Sequence, residues 1–386
     1  MIEPNEIIYL DNNATTQLDP AVVEEMLPFL RKYYGNPSSG YRFGAQVREA
    51  IELARERLAA LIGCTPGEIV FTSCGTESNN TALNAALQLD PARNHIVTTA
   101  VEHSATYKHC EALVRRGYEV TNVGVDHEGN LDLNELEAAI RPSTAVISAM
   151  WANNETGVLF PIEQIAEVAC RKRVWFHTDA IQAVGKVPID LARLGINSLA
   201  LSAHKFHGPK GVGALYVNRR SAFRPLLFGG GQENGRRSGT ENVASIVGLG
   251  RAAELAKQQT RIGALRDRFE EGILAAVPGI FVNGNRASRL SNTSSLSFVG
   301  IDAGAALLML DQQKICCSAG SACHTGSLQA SHVLRAMQLD EERLRGSIRF
   351  SLGRFNTEAE IDRALEIIPR VIGKLRAMSS REAAIA

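Results

Sequence analysis

Leu199-Ala-Leu-Ser-Ala-His-Lys-Phe-His-Gly-Pro-Lys-Gly211 is a short apolar run that stops abruptly at polar side chains. The run Leu199–Ser202 is too short for a helix and suits a buried parallel strand. Gly208-Pro209 and Gly211 are turn residues, and Lys205 stands between strand and turn. A lysine directly after a buried strand, flanked by His204 and Phe206, must either snorkel to solvent or have its amine pKa lowered by desolvation. The second state is what Schiff-base chemistry needs. Lys210 is the rival, but between Pro209 and Gly211 it belongs to the turn and is expected in solvent.

Outward from this stretch the same signature repeats. Ile69–Thr72, His95–Thr99, Ala145–Met150 and Val174–His177 are further β-branched or apolar runs of strand length. Helical patterns separate them. Asp19-Pro20 is an N-cap with proline at the first helical position, and Val47, Ala50, Ala54, Leu58 and Leu61 form a stripe closed by Gly63. Helices alternating with buried strands predict an α/β fold, a mostly parallel central sheet covered on both faces, over about residues 15–250. Beyond residue 250 a helical stretch through Leu265, Phe269, Ile273 and Leu274 leads to alternating patterns at Ser294–Phe298 and Ser347–Leu352. Thr357-Glu-Ala-Glu360 is a capping box opening a last helix through Ile361, Leu365, Ile368 and Ile372. This half, residues 251–386 joined by 1–14, is expected to be a smaller α+β domain whose last residues, Ser379–Ala386, fray.

Ligands of open α/β sheets bind where strands end in loops. Ile69–Thr72 runs into Ser73-Cys-Gly-Thr-Glu-Ser78 and a helix expected near Asn79, a small-residue turn that suits a phosphate but also reads as a capped turn. The strand at Ala145–Met150 ends in Trp151-Ala-Asn-Asn-Glu-Thr-Gly157, where turn chemistry alone accounts for Asn153, Asn154 and Gly157. Val174–His177 ends in Thr178-Asp-Ala-Ile-Gln182, where Asp179 is a candidate site acid or simply the N-cap of a following helix. In the other half, Ile315-Cys-Cys-Ser-Ala-Gly-Ser-Ala-Cys-His-Thr-Gly-Ser327 sets Cys323 in a glycine- and serine-rich loop, about residues 316–330, that cannot bury its thiol. An exposed thiol beside a histidine can be a nucleophile. The alternatives are an incidental surface cysteine or a soft-metal site using Cys316, Cys317 and His324, although the spacing matches no standard zinc pattern.

With 386 residues, 45% apolar and 21% charged, and 41 basic against 41 acidic side chains, the chain has the composition of a globular protein with room for two domains. No charge bias points to nucleic acid or an anionic membrane. Met1–Glu6 has neither a basic nor an apolar leader pattern and no run is long enough to span a bilayer, so a cytoplasmic location is expected. Seven cysteines, an odd number with no CxxC pair, argue for reduced thiols, most of them small buried groups.

Taken together, the segments resemble the cysteine desulfurases of the class V pyridoxal-phosphate aminotransferase group, most closely the NifS type. The likeness is carried by Tyr9–Thr16, Gly35–Ser39, Phe71–Ser78, Met150–Gly157, His177–Ala180, Ser202–Lys205, Arg236–Thr240, Gly320–Cys323 and Arg349–Arg354. It spans nearly the whole chain. It implies the aspartate aminotransferase-like fold and pyridoxal 5'-phosphate as cofactor, carried on Lys205 as a Schiff base. Asp179 would face the pyridine nitrogen, His103 would stack on the ring, and Gln182 would reach the ring hydroxyl. Gly75, Thr76, Ser202 and His204 would line the phosphate cradle, with Thr240 reaching across from a second subunit of a homodimer, and Ala203 and Asn154 would also contact the cofactor. Asn154 and Arg349 would hold the carboxylate of the substrate, L-cysteine, with Arg349 as a bidentate fork.

The implied reaction converts cysteine to alanine. Lys205 moves the Cα proton, His103 trades protons with the substrate, and Cys323 takes the sulfur as a persulfide on a mobile loop. The implied acceptor is an iron–sulfur scaffold of the NifU or IscU type, with Cys323 a transient cluster ligand. The wording of Met150–Gly157 and Gly229–Thr240 favours NifU and nitrogenase. Near the loop the sequence departs from the family pattern: Cys316 and Cys317 replace small residues, His324 replaces threonine or serine, and Gln329-Ala330 replaces Glu-Pro. As imidazolium His324 would lower the Cys323 pKa, and the lost proline would loosen the loop. The rivals are a housekeeping desulfurase, a selenocysteine lyase, a plain aminotransferase in which Cys323 is dispensable, and a non-catalytic thiol or metal-binding protein.

Overall fold

The computed structural model describes Glu3 and residues 6–256, 261–319 and 331–383. Its first half is built around a seven-stranded sheet. Strand β1 (Ile8–Tyr9) precedes helices α1 (Pro20–Arg31) and α2 (Arg42–Ile62). Then follow β2 (Ile69–Thr72), α3 (Gly75–Leu89), β3 (His95–Thr99), α4 (Ser104–Val114), β4 (Glu119–Val123), α5 (Leu133–Ala138), β5 (Thr144–Ser148), α6 (Ile162–Lys172), β6 (Trp175–Asp179), β7 (Ser198–Ser202), β8 (Gly213–Val217) and α7 (Val243–Ala256). The strand order is β2-β8-β7-β6-β5-β3-β4. All pairs are parallel except those of β8, which is antiparallel to both neighbours. The mostly parallel α/β sheet thus stands as expected, with one refinement. Ile69–Thr72 runs in the common direction but is separated from the other parallel strands by β8, a strand hidden behind the Pro209–Gly211 turn.

Local signals place many of the boundaries. Asp19 caps α1 by accepting from Ala21 N, with Pro20 in the first turn. Gly63 ends α2 in the left-handed conformation at φ 65°. Helix α3 starts at Gly75, four residues before Asn79, because the tight turn after β2 leads straight into it.

The second half holds α8 (Ile262–Ala276), β9 (Ile280–Val282), β10 (Thr293–Phe298), α9 (Ala303–Gln312), β11 (Ile315–Cys316), β12 (Ser318–Ala319), α10 (His332–Ala336), α11 (Glu341–Arg345), β13 (Ser347–Ser351) and α12 (Glu358–Ala383). Strands β12-β13-β10-β9 form an antiparallel sheet, and β1 pairs in parallel with β11. The predicted capping box is present: Thr357 N donates to Glu360 and Glu360 N to Thr357 Oγ1.

Two main hydrophobic clusters result. One packs Phe176, Leu199, Phe206 and Tyr216 of the large sheet against Leu58, Ile246 and Leu249. The other packs Phe269, Phe298, Phe350 and Ile368, and takes in Ile8 and Leu10 from the N-terminal segment. Among the described residues no helix is long and apolar enough to cross a membrane. The cysteines depart from expectation: among the described residues only Cys110 is fully buried, Cys170 is exposed, and Cys64, Cys74, Cys316 and Cys317 are half-buried. They sit at element ends, where close packing stops.

Candidate functional site

The ends of β2, β6 and β7, the loop after β5 and strand β13 enclose a cavity of about 280 Å³. Gly75, Thr76, His103, Asn154, Asp179, Gln182, Ser202, His204, Lys205 and Arg349 line it together with Asn13, Ala14 and Cys74. These ten expected site residues come from segments up to 274 positions apart, the interval from Gly75 to Arg349. Ala203 is fully buried beneath the wall rather than in it. Thr240 is exposed and does not line the cavity. Cys323 and His324 lie outside the described residues.

Lys205 is half-buried and its Nζ donates to the carbonyls of Asn13 (2.7 Å) and Ala14 (2.8 Å). Lys210 is exposed. Asp179 ends β6, with Oδ1 accepting from Ile181 N (3.0 Å) and Oδ2 from Asn79 Nδ2 (2.6 Å). No helix follows, so the expected helix N-cap is absent; Asp179 instead caps a turn at residues 181–186 and lines the cavity. His103 is the N-cap of α4, its Nδ1 accepting from Ala105 N at 3.1 Å. That bond assigns the remaining ring hydrogen to Nε2. Burial lowers the His103 pKa, opposed by the Asp179 charge and aided by Lys205, so the imidazole is neutral. Burial first and the Lys205 charge second push His204 down to about 4. In the Asn153–Gly157 turn, Asn153 Oδ1 accepts from Glu155 N and Thr156 N. Turn chemistry thus consumes Asn153 and leaves Asn154 at the cavity.

Arg349 is almost fully buried, bonded to Asp11 (2.7 Å) and to the Asn154 carbonyl (2.9 Å). Its Nε has no partner among the described residues. The flanks of residues 320–330 meet near this corner. Ser318 on β12 is paired with Arg349, and Ser331 donates to the buried Glu155 carboxylate.

Two polar residues not foreseen from the sequence, Asn13 and Lys186, brace the site. Asn13 binds through its carbonyl to Lys205 and Gln182, and through its side chain to Asn154, Lys186, Asn292 and Thr293. Lys186 donates to Gln182 Oε1 (2.7 Å) and Asn13 Oδ1 (3.2 Å). Burial, with Lys205 and Arg349 close by, drives its amine well below its ordinary range. The four-residue spacing of Gln182 and Lys186 was the only local hint.

The donor set fits pyridoxal phosphate. Helix α3 begins without a side-chain cap, and Gly75 and Thr76 of its first turn line the cavity together with Ser202 and His204, a helix N-terminus suited to a phosphate. A primary amine, a carboxylate oriented by two N–H donors and a neutral imidazole stand around the same space. Arg349 brings a guanidinium to the same space, its two terminal nitrogens engaged by the Asn154 carbonyl and Asp11.

The class-V aminotransferase profile matches residues 8–364. The chain is 55% identical over 377 residues to cysteine desulfurase 2 of Trichormus variabilis, covering 97% of this chain and 95% of that one. To cysteine desulfurase NifS of Azotobacter vinelandii it is 50% identical, covering 96% and 94%. A solved NifS-like protein superimposes with a TM-score of 0.90 at 38% identity, covering 96% of this chain and all of the other. Another, titled SspA in complex with cysteine, gives 0.81 at 36% identity, covering 90% and 99%. The chain therefore belongs to the class-V aminotransferase family, in its cysteine desulfurase group.

Proposed function

We propose that the chain is a pyridoxal-phosphate-dependent cysteine desulfurase: L-cysteine and the Cys323 thiol become L-alanine and a Cys323 persulfide, with no external oxidant. The observation that carries this is the single cavity on which the amine of Lys205, the carboxylate of Asp179 and the guanidinium of Arg349 converge. Lys205 would carry the cofactor, Asp179 hold its ring nitrogen, Gln182 its ring hydroxyl, and Gly75, Thr76, Ser202 and His204 its phosphate. When bound, pyridoxal phosphate supplies an electron sink conjugated to the substrate Cα.

Arg349 and Asn154 orient the substrate carboxylate, Arg349 itself being held by Asp11. Lys205 is the base for the Cα proton, and the neutral His103 presents Nε2–H to the substrate. At Cys323 the new S–S bond forms as the substrate Cβ–S bond breaks. The released electron pair stays on the carbon skeleton, which is protonated and leaves as alanine. Cys323 then hands its sulfur to an acceptor. By likeness to the Azotobacter NifS the acceptor is a NifU- or IscU-type iron–sulfur scaffold serving nitrogenase, in the cytoplasm. In a homodimer the exposed Thr240 would complete the phosphate site of the second copy.

The test uses purified protein. It is expected to be yellow, to bleach with borohydride unless Lys205 is replaced, and to release alanine and sulfide from cysteine under reductant. Cys323→Ala should stay yellow and lose sulfide release. Full sulfide production by that variant would overturn the proposal.

A further inference from the structure

Behind Asp179, on the side away from the cavity, a line of hydrogen bonds runs into the sheet. Asp179 Oδ2 accepts from Asn79 Nδ2 at 2.6 Å, and Asn79 Oδ1 lies 2.9 Å from His177 Nε2. His177 Nδ1 lies 3.0 Å from Ser198 Oγ, which also receives Trp175 Nε1–H at 3.0 Å. The ends of the chain set the direction of every link. A carboxylate only accepts, so Asn79 turns its NH₂ to Asp179 and its carbonyl to His177; that carbonyl only accepts, so His177 Nε2 carries the hydrogen. The indole N–H donates to Ser198 Oγ, and because Nε2 carries the hydrogen of the neutral ring, Nδ1 is left to accept the Ser198 hydroxyl proton. His177 is thus the neutral Nε2–H tautomer, in keeping with burial that pushes its pKa down to about 3.

These side chains are among the most enclosed in the molecule: Asn79, His177 and Ser198 are 0% exposed. Strand register aligns His177 with Ser198 on one side and Ser148 on the other, a polar row across a sheet that otherwise buries Phe176 and Leu199. An apolar row would pack there without the desolvation cost of buried polar groups.

We propose that Asn79 and His177 are positioning residues that keep a proton on the base Asp179 faces, which on the function proposed above is the ring nitrogen of pyridoxal phosphate. A carboxylate held by N–H donors is a weaker proton acceptor, so a proton shared with a base against it stays on the base. Trp175 and Ser198 brace the ring of His177, His177 fixes the amide of Asn79, and Asn79 supplies the donor.

The experiment is ¹⁵N NMR of holoenzyme reconstituted with pyridoxal phosphate labelled at the ring nitrogen, followed against pH with melting curves on the same samples. In the wild-type enzyme the ring nitrogen should stay protonated through neutral pH. Asn79→Ala should let the shared proton move toward Asp179, shifting the ring ¹⁵N resonance toward its unprotonated position throughout the neutral range. His177→Phe should shift it the same way by less, and His177→Gln, whose amide still donates to Asn79, should restore it. Wild-type ¹⁵N resonance positions in both Asn79→Ala and His177→Phe would overturn the proposal. Should His177→Phe fail to fold, Asn79→Ala decides alone. Wild-type protein that binds the cofactor at Lys205 with an unprotonated ring nitrogen would sink this inference and leave the function standing; wild-type protein that takes up no cofactor would sink both.

Discussion

Glu102, one residue before His103, is fully buried; its Oε1 accepts from Thr99 Oγ1 and Met150 N, and its Oε2 has no partner among the described residues. Burial pushes its pKa from 4.5 up to about 8, and the Asp179 charge adds to the rise. The folded protein therefore holds a proton that the unfolded chain releases near 4.5. The stability this contributes is complete below that pH and is lost as the pH climbs through about 8. Glu102→Gln cannot ionise, so relative to wild type it should gain stability from pH 5 to pH 8, at up to ~1.4 kcal/mol per pH unit. Denaturant midpoints measured in parallel would show the two curves diverging; a constant separation would mean that folded Glu102 is already ionised. Glu155, raised to about 7 by burial, titrates in both proteins and cancels from the comparison. Lys205 and Asp179 were legible in sequence because each directly follows an apolar run. Nothing local marks Glu102 as neutral, since its burial comes from strands far along the chain.

At the scale of elements, α2 and α7 press together backbone to backbone: a Cβ on Gly250 would come 2.5 Å from Ala54 Cα. Gly250→Leu should wedge the helices apart and cost ~1–3 kcal/mol by denaturant midpoint, with far-ultraviolet helicity kept. An unchanged midpoint would show the interface to be loose. Elements with strong local signals were legible, α1 from Asp19-Pro20, α2 from its stripe and Gly63, α12 from its capping box. In the seven-stranded sheet two strands were not. Strand β4 is a half-exposed sheet edge, Glu-Val-Thr-Asn-Val, with no apolar run to betray it. Strand β8, Gly-Ala-Leu-Tyr-Val, is a buried apolar run, but it follows directly on turn residues, and its antiparallel direction is set by its partners.

Across the whole molecule, Arg349 on β13 joins the small sheet to the cavity of the large one through Asp11 and the Asn154 carbonyl. Arg349→Lys keeps the charge but loses the planar fork. The expected outcome is a KM for cysteine raised at least tenfold with the cofactor absorbance unchanged; an unaltered KM would remove Arg349 from substrate binding. The sequence by itself determined the class of sheet, the strand ends where chemistry gathers, and Lys205 and Asp179 as candidates there, because apolar periodicity and turn chemistry act over a few neighbouring residues; Arg349 was implied by the family resemblance alone. Only the tertiary structure decided that Asn13 grips Lys205 across 192 positions and that Asn79 reaches Asp179 across 100. A buried polar group must find its partner wherever packing brings one, and that choice is made by the fold as a whole.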